Sequence, residues 1–408
     1  MKFTQVACLS LFIILLLVFP KAIAQKSDSD IIESLNQHII PISTFQPDSN
    51  FQDIDFLKGT LKDKHVVGLG EATHGTHEFF KYKDRLIRYL VTNLDFKAIA
   101  FESDFMTLQI LNNYISGKTD EMYFSGGFPV SAETRALLKW LKEYNQQQPV
   151  PEKVHIYGLE ARGFKNISKL LIDSLTNLSE VNKKTLLKVY NTSNHLLTKK
   201  DISELKLIIP SLYESAVQQT TSRSHKHYVK LLEQGVSHFL KSSKDQIGLR
   251  DEHMFENALW IKESTANKKL IIWAHNGHLA KSNIYWQSPL GKHLYQEYGD
   301  KYYVIATDFN HGEVGVYVQE NKEFKYQNVY YPEVSTSKGY EFFFSKCKFS
   351  NFFIDVQESS KNPNLQQFLT KSREMRAIGG TDKPSVSKLS ISECFDLVAF
   401  FNKATASK

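Results

Sequence analysis

The chain is predicted to be an α/β protein with a central, mainly parallel sheet flanked by helices and an inserted helical subdomain beside the cleft. Three observations lead to this. Short apolar runs recur without strict polar alternation, as expected of strands buried on both faces. Segments with helical spacing separate the early runs, the alternation that builds parallel βαβ units. One long central segment then loses its strand-like runs and turns to Leu/Lys/Glu/Ser periodicity.

Taken in order, residues 1–24 read as a leader. Lys2 precedes an apolar stretch of about 14 residues from Val6 to Phe19, and a small-residue ending follows at Ala22–Ala24. That stretch is shorter than the roughly 20 residues that span a bilayer. Cleavage is expected near Ala24/Gln25, giving an exported, periplasmic or secreted chain with no stable membrane insertion. Its net charge falls from +6 to 6 − 2 = +4 when Lys2 and Lys21 are removed. The basic residues are interspersed with acids, which argues against nucleic acid as a partner. The chain is expected to be a monomer. Cys347 and Cys394, the cysteines beyond the leader, could form one disulfide.

Residues 25–165 form the first part of the core. Strands are expected at 65–71, 97–103 and 154–160, and helices at 79–90, 105–115 and 132–144. Residues 166–265 are the helical insertion. Residues 266–408 complete the core, with strands at 269–275, 302–309, 315–318, 352–356 and 395–401.

Four of these strands end in ionisable side chains: Glu71, Glu102, Glu160 and His275. Ligands of open α/β sheets bind beyond the carboxyl ends of the strands, so these groups should share one partly buried crevice. The stretch HVVGLGEATHG then admits three chemistries. Gly68, Gly70 and Gly75 fit neither phosphate-loop pattern, and Glu71 would repel phosphate. His74, His275 and His278 with the carboxylates could hold a metal or a haem, but the H-x-x-H spacing at 275–278 is not that of a zincin helix. The leading reading is hydrolysis by histidine-activated water, with a carboxylate fixing the imidazole. No serine elbow or catalytic-looking cysteine is evident. No cofactor is expected on this reading, and a divalent metal is the alternative. Arg162 could be a partner within the crevice or an ordinary solvated arginine, and His77 a supporting or surface residue.

The segments GLGEATHGTHEFFKYKDRLIRYL (68–90), AIAFESDF (98–105), GLEARG (158–163), RDEHMFENALWI (250–261), IIWAHNGHLAKS (271–282) and PLGKHLYQEYGDKYYVIATDF (289–309) resemble the erythromycin esterases and their succinoglycan-biosynthesis-like relatives. The resemblance implies an α/β fold with a helical portion beside a deep cleft, and opening of a macrolide lactone that inactivates the antibiotic. It places the general base at His74 with Glu71 as companion. Glu102, His275 and His278 complete the catalytic set. Lys83 falls where some relatives have arginine, and it cannot make the same bidentate fork. Glu160 and the pair Arg250–Asp251 are implied near substrate, Arg250 and Asp251 either contacting it or clamping helix to sheet. Phe79, Phe80, Phe105, Trp273, Tyr285 and Trp286 are candidates to line a cleft for a large apolar ring, Trp286 foremost. The same resemblance leaves another ester, or a polysaccharide acyl group, as an alternative substrate.

Overall fold

The computed structural model describes residues 27–124, 128, 130–219, 222–241, 243–266, 268–284, 288–321, 323–383 and 385–408. The segment predicted as a leader and the Tyr285–Trp286 pair lie outside them. Strands β1 to β11 are Ile39–Pro41, Val66–Glu71, Phe96–Asp104, His155–Glu160, Lys269–His275, Tyr302–Glu320, Glu323–Tyr331, Asn351–Asp355, Arg373–Arg376, Val386–Leu389 and Leu397–Ala404. Nine form the main sheet, in the order β1-β8-β11-β6-β2-β5-β3-β4, with β7 paired to β6. From β11 to β4 neighbouring strands are parallel, while β8, β1 and β7 pair antiparallel at the margins. The chain therefore has the mostly parallel sheet flanked by helices that its apolar runs predict.

The central strand β2 is buried along its whole length, as a strand covered on both faces must be. Residues such as Val67, Leu69 and Ile271 pack on one face, and Val66, Ile272 and Val304 on the other. The predicted helices are present with modest shifts: His77–Asn93, Phe105–Ile115 and Ala132–Gln146. The run at 315–318 is not a separate strand. It is the outer part of the 19-residue β6, which leaves the sheet core and pairs with β7. The marginal strands β1 and β7, and the separate antiparallel pair β9–β10, were not expected, since they are short or largely solvent-facing.

Helices Phe164–Ser174, Glu180–Asn191, Lys199–Val217, Ser222–Leu240 and Ser243–Ser264 occupy the strand-poor stretch. Leu186, Leu205, Leu212 and Leu232 form part of their shared core. Cys347 and Cys394 are free thiols, not the disulfide the composition allowed. Among the described residues no helix is long and apolar enough to cross a membrane.

Candidate active site

The turn after β2 is fixed by backbone hydrogen bonds. Ala72 O accepts from Ile378 N at 2.9 Å, His74 N donates to Gly379 O at 3.2 Å, and Gly75 O accepts from Gly315 N at 2.9 Å and Ser407 N at 3.0 Å. Gly75 is required by contact: a Cβ there would lie 2.1 Å from Gly315 O. Gly70 is required likewise, because the Asn276 amide occupies that space while donating to Thr307 O at 2.8 Å. Glycines here let side chains and backbone from three strands meet, and no phosphate cradle is needed to explain them.

This turn presents His74 to a cavity of about 620 Å³. The imidazole is one-third exposed, and its Nδ1 lies 2.6 Å from Glu71 Oε1. Glu71 Oε2 accepts from Lys83 Nζ at 2.6 Å and from Trp273 Nε1 at 2.9 Å. Burial works to raise the Glu71 carboxyl, but Lys83 and the His74 hydrogen bond outweigh it and hold it below its ordinary value. An ionised Glu71 accepts a hydrogen bond from the Nδ1–H, so the neutral ring carries its lone pair on Nε2.

Lys83 sits elsewhere than the sequence suggested. It lies on the buried face of its helix, 1% exposed, with its ammonium 4.5 Å from the Trp273 ring centre. Burial lowers it to about 8. It supports Glu71 and does not line the cavity.

A second cluster gathers at the ends of β3 and β4. Arg250 forks onto Glu160, with Nε and Nη2 each at 2.8 Å, and reaches Glu102 Oε1 at 2.6 Å. Arg162 makes a second fork on Glu160, at 2.9 and 2.7 Å. Burial opposes ionisation of Glu160, yet the two guanidiniums hold it at about 2. His278 Nδ1 lies 2.8 Å from Asp251 Oδ1, and Nε2 lies 3.2 Å from Glu102 Oε1 and 2.9 Å from Arg250 Nη1. Burial favours the neutral ring, but Glu102 and Asp251 raise His278 to about 9. In the charged ring both N–H groups donate to carboxylates, and Nε2 can then accept nothing from Arg250 Nη1 beside it.

His275 differs from both. Its Nδ1 accepts from Gly277 N at 3.1 Å, its backbone N–H donates to Glu102 Oε2 at 2.9 Å, and its ring centre lies 5.5 Å from that of His74. Burial, and then His74, lower it to about 3, so the ring is neutral with its proton on Nε2.

The structure thus brings Glu71, His74 and Glu102 to the cavity wall, with Arg162 beside them. His275, His278 and Asp251 stand behind them, and Glu160 and Arg250 line an adjoining cavity of about 380 Å³ that Arg162 shares. Arg162 is the crevice partner of the two readings open to it. His77 pairs with Glu133 away from this wall. Of the aromatic candidates, Phe80 and Trp273 reach the cavity, Phe79 packs on Phe309 and Phe401, and Phe105 packs on Trp260. Trp286 is not among the described residues. Sequence reasoning missed Tyr317, Phe324 and Tyr326 from β6 and β7, and the Gly380–Thr381 segment, all of which line the cavity. Among the described residues no group of three or more His, Cys, Asp or Glu side chains is arranged to hold a metal ion.

Comparison with known proteins agrees with this architecture. The family model for erythromycin esterase matches residues 91–404, a range that begins after the Glu71–His74 turn. Erythromycin esterase type II of Escherichia coli is 24% identical over 412 residues, covering 86% of this chain and 97% of its own. A Bacillus cereus protein of known crystal structure superposes with a TM-score of 0.80 at 25% identity, over 94% of this chain and 99% of its own. An erythromycin esterase mutant solved in its open conformation shares the fold with a TM-score of 0.70 at 17% identity, over 90% and 98%.

Proposed function

The chain belongs to the erythromycin esterase family, and from that premise we propose that it opens the lactone ester of a macrolide with water activated by His74. One observation carries this reading: a cavity-facing imidazole whose Nδ1 is held by a buried, ionised glutamate. That pairing leaves Nε2 to accept a proton from water, the geometry a general base requires.

In the proposed reaction, water held at His74 Nε2 attacks the ester carbonyl as its proton passes to the imidazole. Glu71 stabilises the imidazolium, and Lys83 with Trp273 keeps Glu71 anionic. Arg162 is the cation at the cavity wall. Its Nε and Nη2 are engaged by Glu160, which leaves Nη1 outside that fork to face the developing oxyanion. The neutral ring of His275 adds no competing charge beside the base. Collapse of the tetrahedral intermediate breaks the C–O bond, and His74 returns its proton to the departing alkoxide. The product is the ring-opened hydroxy acid. No step uses a metal or cofactor. Export through the leader at residues 1–24 would place the enzyme where it meets the antibiotic outside the cytoplasm.

The test is incubation of the purified protein with macrolides of several ring sizes, with and without a chelator, followed by mass spectrometry. The expected product is substrate plus one water, formed equally under chelation. Absence of that product with every macrolide, or activity abolished by removing a stoichiometric metal, would overturn the proposal.

A further inference from the structure

We propose that the β6–β7 hairpin recognises the apolar body of the substrate, seating it on an aromatic face made by Tyr317, Phe324 and Tyr326. This rests on the esterase reading of the His74 cavity and names the part of the chain that selects for bulky esters.

All three rings line the same cavity as Glu71 and His74. Tyr317 and Tyr326 are direct cross-strand partners, their rings packed edge to face at 5.3 Å. Phe324 stands two residues from Tyr326 and therefore on the same face. What separates these rings from the other cavity aromatics is water. Phe80, Phe101, Phe128 and Trp273 are at most 5% exposed, whereas Tyr317, Phe324 and Tyr326 are 49%, 58% and 50% exposed. The first group is committed to the core and has little hydration left to lose. The second forms a patch left about half exposed, and a ligand that covers it gains from the water released.

The patch is also tied to the base. Gly315 N donates to Gly75 O, one residue beyond His74, and Tyr317 N donates to Gly380 O at 2.8 Å. A Cβ on Gly380 would lie 3.2 Å from the His74 ring, so that segment packs directly against it. Tyr326 reaches back over Gly315, where any Cβ would meet its hydroxyl at 1.9 Å. Backbone hydrogen bonds therefore hold the aromatic face at a fixed offset from His74. An ester whose carbonyl faces the water held at Nε2 can rest on that face only if a large, mostly apolar ring or chain adjoins the scissile bond.

Calorimetric binding of erythromycin tests this in a His74→Ala background, which removes turnover and keeps the cavity. Adding Tyr317→Ser and Phe324→Ser should weaken Kd at least tenfold, about 1.4 kcal/mol. Adding Tyr317→Phe and Phe324→Tyr instead should hold Kd within about threefold. In the native background the serine pair should raise KM for erythromycin more than it lowers kcat. Kd that follows the aromatic rings while the native protein opens no macrolide would support the hairpin and refute the esterase reading. Equal Kd in all three proteins, or no binding in any, overturns the hairpin proposal. So does light scattering that shows the serine pair dissociating a dimer while Kd stays constant, since the patch would then be a self-association surface.

Discussion

Two clusters of this protein are built from the same parts, an imidazole, a carboxylate and a cation, and they differ in what the ring has left to offer. At the end of β2, His74 commits Nδ1 to Glu71 and stays one-third exposed toward the cavity. At the ends of β3 and β4, His278 is 5% exposed with a carboxylate near each nitrogen. Reactivity follows from the unspoken-for nitrogen, and rigidity from its absence. His278, Arg250, Glu160 and Asp251 read best as a buried brace that keeps Glu102 ionised at the cavity wall.

The largest effect should come from breaking the brace. Arg250→Met leaves Glu102 and Glu160 without their shared guanidinium. Removing one partner of a buried ion pair costs about 3–5 kcal/mol, which denaturant titration would detect. A loss under 1 kcal/mol would show that the cluster is not a brace.

A smaller effect is written in pH. His278 is raised in the folded state to about 9, so its stabilisation is full below its unfolded value near 6.5 and fades as pH rises toward 9. Between pH 6.5 and 8 the loss should be about 1.5 kcal/mol. Above that, Lys83 and Lys262, both lowered by burial to about 8, oppose the trend. His275 has the opposite sign: lowered to about 3, it contributes stability that is lost as pH falls below 6.5. Stability measured from pH 6.5 to 8 should therefore decline in the native protein and be flatter in His278→Gln. Identical slopes would place the neutral form of His278 in the fold.

Much of this was legible in the order of residues. Strands β2, β3, β4 and β5 are largely apolar runs that carry Glu71, Glu102, Glu160 and His275 at or near their ends, and a parallel sheet brings such ends to one side. Partner choice was less legible. Lys83 lies nine residues past His74 on a helix, and only tertiary packing reveals that it turns inward to a buried glutamate. Arg250 and Asp251 sit about 90 residues from Glu160, too far along the chain for spacing to join them. The β6–β7 hairpin was hidden for a different reason. Its aromatics alternate with polar residues on a solvent-facing margin, so β7 offers no apolar run to find. Gly380 carries no side chain to announce that it packs on His74.

The most direct test of the contrast between the two clusters is kcat for macrolide opening in His74→Asn and His278→Asn, each with its melting temperature. The account predicts that His74→Asn loses about a thousandfold in kcat with its melting temperature nearly unchanged, while His278→Asn is chiefly destabilised. If His74→Asn turned over within about threefold of the native enzyme, its ring would not be the base, and the account would be contradicted.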